Sequence, residues 1–489
     1  MRLNVRSFRL AALAFGSTAA LAALVSCAVN PVTGERELAL ISEDQEVAMG
    51  REASGQVASS LGLVEDQELQ EYVDGIGQRL AAISERPDLP WQFRVVDDPT
   101  PNAFALPGGY IFVTRGMMNL MASEAELAAV LGHEIGHVTA RHSVSQMSRA
   151  QLAQLGLGLG MILSPELAQL GDLAGTGLQL LFLKYGRDDE RQSDELGFRY
   201  MLESGYQVAE MADVFRALQS AGELSGASPL PNWLSSHPAE PERIANAQRR
   251  AAELASPPAD LRVGENEYLS QLDGLVYGPD PRNGFFRDDW FYHPELIFRF
   301  RVPSDWQRQN LPQSVQAVSP DQDAAVQLTL VPASSPGEAA QAFFSQQQGL
   351  ARLGVASREI AGNTAVISEF QAQTQQGAVR GYVSHIAHGG AVYQLVGYAP
   401  GGAFDRRARI LEDIVTSFEP VTDREILDIQ APRIDIVELP EAMSLTEFAR
   451  RYPTPISIEQ LALINQVSDP NATIPAGRRL KQVVGDEVG

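Results

Sequence analysis

The residues His133-Glu134-Ile135-Gly136-His137 carry the clearest chemistry in this sequence. On a helix, positions four apart lie one turn above each other, so the two imidazoles share a face and can close on one zinc ion. Glu134 is turned about 100° from His133 and does not easily ligate beside it. It is placed instead to reach a water on the same metal and take its proton. An HExxH pattern arises by chance in roughly one chain in a hundred of this length, so the surrounding residues must decide its meaning.

A hydrolytic zinc site takes three protein ligands and keeps one position for water. The best downstream candidate for the third ligand is Glu190, within Tyr185-Gly186-Arg187-Asp188-Asp189-Glu190-Arg191-Gln192-Ser193-Asp194-Glu195. Glu190 and Asp194 are four apart on a predicted helix and share a face. Glu190 can then bind the metal while Asp194 accepts a hydrogen bond from His133 and fixes its tautomer. A solvated acidic helix start is the alternative reading of this run. Extending the motif helix places His142 about 140° round from His137, facing away from the metal, as a structural histidine. His385 and His388, three apart on a predicted strand, fall on opposite faces and cannot share a metal.

The elements that must hold these residues are legible in the periodicity. Residues 42 to 85 read as two amphipathic helices. Strands are predicted at Phe93 to Val96, Ala103 to Leu106 and Tyr110 to Val113, with Pro107-Gly108-Gly109 as the turn between the last two. Ser123 followed by Glu126 reads as a capping box opening the motif helix. Further helix runs to about residue 253, and Ser256-Pro257-Pro258 marks a linker over 255 to 264.

From about 265 to 421 the pattern is that of an α+β domain. Strands are expected at Leu296 to Val302, Ala325 to Val331 and Ala365 to Gln371, with helices near 336 to 350 and 404 to 417. Gly389-Gly390 joins Tyr382 to His388 and Ala391 to Tyr398 as a hairpin. A last unit, 432 to 487, has the order strand, helix, helix, strand. It resembles the LysM fold, including Pro475-Ala476-Gly477 before the closing strand. LysM modules bind peptidoglycan sugars, so that resemblance implies a glycan partner; a structural cap is the alternative.

The composition is that of a globular protein with a sizeable core: 489 residues, 44% hydrophobic. A net charge of -23 and a pI near 4.7 repel phosphate backbones, so nucleic acid is not an expected partner. At the N-terminus, Arg2, Arg6 and Arg9 precede an uncharged run from Leu10 to Val25, which reads as a secretory signal over residues 1 to 26. Its ending, Leu24-Val25-Ser26-Cys27, resembles a bacterial lipobox, which implies lipidation at Cys27, the only cysteine in the chain. In the sorting pattern that this resembles, Ala28 favours the outer membrane. No later segment reaches the roughly 18 uncharged apolar residues of a spanning helix. The nearest, Ala150 to Pro165, reads as a buried or surface-docked helical hairpin.

Four segments together resemble the HtpX and CAAX prenyl protease family of zinc metallopeptidases, in its soluble periplasmic, BepA-like branch. They are Asn30-Pro31-Val32-Thr33-Gly34 through Ser42-Glu43, Leu131 to Val138 around the motif, Glu190 to Asp194, and Ser235-Ser236-His237-Pro238 followed by Arg243-Ile244. Ser193 departs from the family's usual alanine, a change between two small residues. The resemblance implies a mainly helical gluzincin-type domain over 27 to 254 with a small β-sheet, within a multidomain α+β protein. It implies one Zn2+ per chain held by His133, His137 and Glu190, with Glu134 as general base. It puts His237 at the site, as a fourth zinc donor at rest or as an oxyanion stabiliser. It also implies that peptide substrate pairs with the strand edge near Ala103 and Phe104, where an ordinary hairpin is the alternative. The expected activity is a lipid-anchored periplasmic endopeptidase acting on unfolded or misassembled envelope proteins. A chaperone or scaffold for outer-membrane protein assembly is the reading from another class.

Overall fold

The computed structural model describes residues 27–38, 40–154, 185–224, 233, 236–237, 241–254, 258, 260–346, 349–374 and 377–486. The proposed signal, most of the Ala150 to Pro165 run and part of the 255 to 264 linker lie outside the described residues. The chain forms two compact units. One comprises Met1–Gly278 with Arg433–Val484, the other Pro279–Pro432 with Gly485–Gly489.

The first unit opens with strands β1 (Cys27–Val29) and β2 (Arg36–Leu38), paired antiparallel with Cys27 opposite Leu38. Helices α1 (Glu43–Leu61) and α2 (Gln67–Ala81) follow, each started by a side chain that accepts a backbone N–H. Ser42 caps α1 and Asp66 caps α2, which satisfies donors the helices cannot satisfy themselves. Strands β3 (Gln92–Val96), β4 (Ala103–Leu106) and β5 (Tyr110–Thr114) form a sheet in the order β3-β5-β4. Strand β3 runs parallel to β5, and β4 antiparallel, so β4 is the edge. Gly108 and Gly109, at φ 79 and 100, make the turn that only residues without a Cβ enter freely.

Helices α3 (Arg115–Leu120) and α4 (Glu124–Thr139) come next, and α4 carries the motif. Ser123 caps α4 through the Glu126 N–H, but the Glu126 carboxylate turns back to the N–H of Ala122 and not to that of Ser123. Every residue of α4 is buried, which fits a helix packed on all sides. It is followed by α5 (His142–Gln154), α6 (Arg187–Glu203), α7 (Glu210–Leu224), α8 (Pro241–Ala252) and α9 (Glu265–Leu272). Leu127, Leu131 and Ile135 of α4 join Leu196, Tyr200, Phe215 and Leu218 in one core.

The C-terminal strands Arg433–Glu438 and Arg479–Val484 pair antiparallel, with helices Leu445–Arg451 and Ile458–Ile464 between them. Short strands Met443–Ser444 and Thr473–Ile474 also pair antiparallel, so the two expected helices are flanked by two strands on each side where the sequence reading gave one. This segment belongs to the same compact unit as the motif helix and shares its core through Phe448, Leu461 and Leu480. Two polar contacts add to that packing. Lys481 is buried and its ammonium donates to the carbonyls of Asn119 (2.8 Å) and Met121; Gln466 Nε2 donates to Glu126 Oε2 at 2.8 Å. Burial pushes the Lys481 pKa down and the Glu126 pKa up, as it does for any charge withdrawn from water.

The second unit is built on a seven-stranded antiparallel sheet. Its order is Leu350–Ile360, Asn363–Thr374, Gly377–His388, Ala391–Pro400, Ala325–Val331, Ser314–Val318, Gln307–Leu311. Gly389 and Gly390, both at positive φ, close the tight hairpin in which His388 faces Ala391. Helix Gly401–Val415 packs on this sheet with Phe404, Leu411 and Ile414 in its core. His385 is bound to Gln394 and His388 to Asn363 and the Leu296 carbonyl, so both are ordinary sheet residues. Among the described residues no helix is long and apolar enough to cross a membrane.

Candidate metal centre

The site depends on how closely α4 and α6 approach. A Cβ on Gly197 of α6 would stand 2.9 Å from the His133 nitrogen, and one on Gly136 of α4 would stand 3.0 Å from Cα of Ser193. Small residues at both crossing points therefore let the backbones touch, and the carboxylates of α6 reach the histidines of α4. His133, His137, Glu190 and His237 gather donor atoms that all lie within 4.8 Å of one another, and all four residues are buried.

The separations in this cluster are those of one small cation's ligands. His137 Nε2 is 3.0 Å from His133 Nε2 and 3.3 Å from Glu190 Oε1. His237 Nδ1 is 2.8 Å from Glu190 Oε1 and 3.2 Å from His133 Nε2. Four donors held at about 2.05 Å in a tetrahedron stand about 3.3 Å apart, so the set fits zinc. The chemistry of the donors, three imidazoles and a carboxylate, fits it as well. Burial holds the His137 pKa well below the ordinary imidazole value, which keeps a lone pair available. Burial would raise Glu190, but His237 and His133 beside it hold its carboxyl far below the usual range.

Around the donors stands a set of fixed partners. His133 Nδ1 donates to Asp194 Oδ1 at 2.9 Å. Asp194 is gripped in turn by Arg243, whose Nε and Nη2 donate at 2.8 and 2.7 Å in a fork. Arg243 Nη1 also lies 3.0 Å from Glu190 Oε2, and the guanidinium sits over the rings of Phe215 and Trp233. Trp233 Nε1 donates to Glu134 Oε1 at 3.3 Å, and His237 Nε2 is 3.6 Å from that same oxygen. The second oxygen of Glu134 is buried without a hydrogen-bond partner among the described residues. A buried carboxylate oxygen left open beside four metal donors suits a water held between them.

The sequence-predicted residues thus converge: His133, His137, Glu190 and His237 form one buried cluster, with Asp194 bonded to His133 and Glu134 beside His237. Ala103 and Phe104 lie on the edge strand β4, which packs against α4. Cys27 lies on β1 at the start of the described chain and is not a member of this cluster. Sequence reasoning gave no role to three contributors, Trp233, Tyr185 and Arg243, although Arg243 stands in a segment that carries the family resemblance. Arg243 gave no spacing signal, since it reads as one more arginine on an amphipathic helix. Tyr185, stacked on His137 with ring centroids 3.9 Å apart, precedes its helix and shows no periodicity.

His142 requires a correction. It does not face away from the site: its Nδ1 stands 2.9 Å from Nδ1 of His137. Helix α4 ends at Thr139 and Arg141 takes φ 58, so the 100° per residue extrapolation does not carry through to His142. Arg141 is held in that conformation by bonds to Glu46 Oε2 and the Ile41 carbonyl, both 3.0 Å. No glycine or proline marks this break, so it was invisible in the sequence.

With this geometry established, the family match has a physical content: residues 67–251, which include His133, Glu134, His137, Glu190, Asp194 and His237, match the model of peptidase family M48. The beta-barrel assembly-enhancing protease of Yersinia pestis is 32% identical over 262 residues, covering 51% of this chain and 52% of that protein. The Escherichia coli K12 protein of the same name is 29% identical over 269 residues, covering 53% and 54%. Mitochondrial metalloendopeptidase OMA1 of Schizosaccharomyces pombe is 31% identical over 224 residues, covering 44% and 63%. The chain spans about half the length of the beta-barrel assembly-enhancing proteases it matches.

Proposed function

We propose that this chain is a zinc-dependent endopeptidase that cuts unfolded or misassembled envelope proteins at the outer membrane. The observation that carries the reading is the buried convergence of His133, His137 and Glu190 with Glu134 beside them. A structural metal site has no use for a buried carboxylate oxygen that meets no partner among the described residues. When bound, the zinc supplies Lewis-acid polarisation of a water and of the scissile carbonyl. The rest is the chain's own work. Glu134 takes a proton from that water at its open oxygen and returns it to the leaving amine, while Trp233 fixes the other oxygen. Asp194 and Arg243 hold the His133 ring with its Nε2 lone pair toward the metal. His237, whose Nδ1 lies 2.8 Å from Glu190 Oε1 and 3.2 Å from His133 Nε2, would serve as a fourth donor to the metal at rest and would yield that place to substrate.

Peptide substrate pairs in extended form with the edge strand β4 at Ala103 and Phe104, where main-chain bonds give affinity without demanding a sequence. The relatives named for β-barrel assembly support envelope proteins as the substrate class. Lipidation at Cys27 holds the enzyme on the outer membrane from the periplasmic side. The docking of Lys481 and Gln466 onto the peptidase part supports the structural-cap reading of the LysM-like segment over glycan binding.

The test is cleavage of an unfolded outer-membrane β-barrel protein by the metal-stripped chain before and after zinc is restored. Cleavage is expected only after zinc. Equal cleavage by the stripped chain would refute the reading. Palmitate labelling should vanish in Cys27→Ser; labelling that persists would remove the anchor.

A further inference from the structure

The Nδ1–Nδ1 contact between His137 and His142 allows only one proton between the two nitrogens. His137 Nε2 is the atom that faces His133 Nε2 and Glu190 Oε1, so a metal in the cluster needs the lone pair there. The His137 proton must then sit on Nδ1 and be donated to His142 Nδ1 at 2.9 Å. His142, accepting at Nδ1, carries its own proton on Nε2. That nitrogen stands 2.9 Å from Gln192 Oε1, an acceptor, with Asp189 Oδ1 further off at 3.7 Å. Every ring then has one tautomer, and the direction of donation runs from His137 through His142 to Gln192 on α6. The opposite direction would put the His137 proton on Nε2 and close that ligand to the metal.

We propose that His142 is a positioning residue for the metal centre, setting the tautomer and ring orientation of His137 through a chain that ends on Gln192. It does for the second histidine of the motif what Asp194 does for the first. The two arrangements differ in chemistry: a carboxylate gripped by arginine backs His133, whereas a neutral imidazole and an amide back His137. The Tyr185 ring stacked on His137 and the Ser193 hydroxyl 3.4 Å from His142 Nδ1 limit rotation of both rings. Arg141 in its left-handed conformation is what turns His142 back toward the site. The inference rests on the zinc reading made under Proposed function.

The experiment is the zinc affinity of the full chain, measured by chelator competition, with far-UV circular dichroism to establish folding. His142→Phe removes the acceptor and should weaken zinc binding about 10- to 100-fold, the usual effect of losing a ligand's hydrogen-bond partner. His142→Asn offers its Oδ1 where Nδ1 stood and should restore most of that affinity. Gln192→Leu, which removes only the end of the chain, should weaken binding by a smaller factor. His142→Phe with wild-type affinity, or His142→Asn as weak as His142→Phe, would overturn the inference while leaving the zinc reading intact. A wild-type chain that takes up no zinc would sink the zinc reading, and this inference with it.

Discussion

At the scale of residues, the site is a small number of titratable groups whose charges are mutually fixed. Asp194 illustrates this: burial raises its pKa, but the Arg243 guanidinium and the His133 imidazole outweigh burial and hold it below the usual 3.8. A depressed carboxyl adds stability that is complete above its unfolded pKa and is lost as pH falls through the folded value. In the metal-free chain, the stability gap between wild type and Asp194→Asn should therefore be steady between about pH 5 and 8 and narrow progressively as pH falls below about 4. Denaturant unfolding across pH measures this; a gap that persists at the acid end would contradict it. His237→Ala should raise peptide cleavage several-fold by opening the fourth donor position. Unchanged cleavage would take His237 out of the site. The motif residues were legible in the sequence because metal ligation demands particular side chains at fixed spacing. The roles of His142 and of Arg243, which the family resemblance marked without a role, were not, because they depend on where a helix stops and on which groups a guanidinium meets, and neither is a spacing.

At the scale of elements, the contact of α4 with α6 decides whether the ligands meet. Gly197→Ala places a methyl 2.9 Å from the His133 nitrogen, a backbone atom that cannot swing aside. Such overpacking costs about 1–3 kcal/mol, and the forced separation should also loosen zinc. Thermal unfolding and zinc competition together check this, and a variant that matches wild type in both would show that the helices can part without harm. The three-strand sheet was read from sequence almost to the residue, since Ala103 to Leu106 and Tyr110 to Thr114 flank a glycine turn. The break at Arg141 was not, because its left-handed conformation is imposed by Glu46 and Ile41, a hundred residues away in the chain.

At the scale of the whole molecule, the C-terminal segment 433–484 is part of the peptidase unit although some 150 residues of a second unit separate them in sequence. Periodicity gave its two helices and outer strands but not the two-residue strands between them, and a docking surface has no period, so this partnership was not legible. Lys481 anchors it, so Lys481→Ala should leave the carbonyls of Asn119 and Met121 without their ammonium donor and remove the positive charge that faces Glu126. The expected loss is about 2–4 kcal/mol in urea unfolding; a loss under about 0.5 kcal/mol would show that apolar packing alone holds the segment. The fold in this view exists to hold one buried carboxylate beside one metal, and Glu134→Gln addresses that directly. It keeps the shape and removes the base. Measured together, zinc content and cleavage of an unfolded envelope protein should show one zinc per folded chain, with cleavage lowered about 10²- to 10⁴-fold. Zinc retained with cleavage at the wild-type rate would contradict the account.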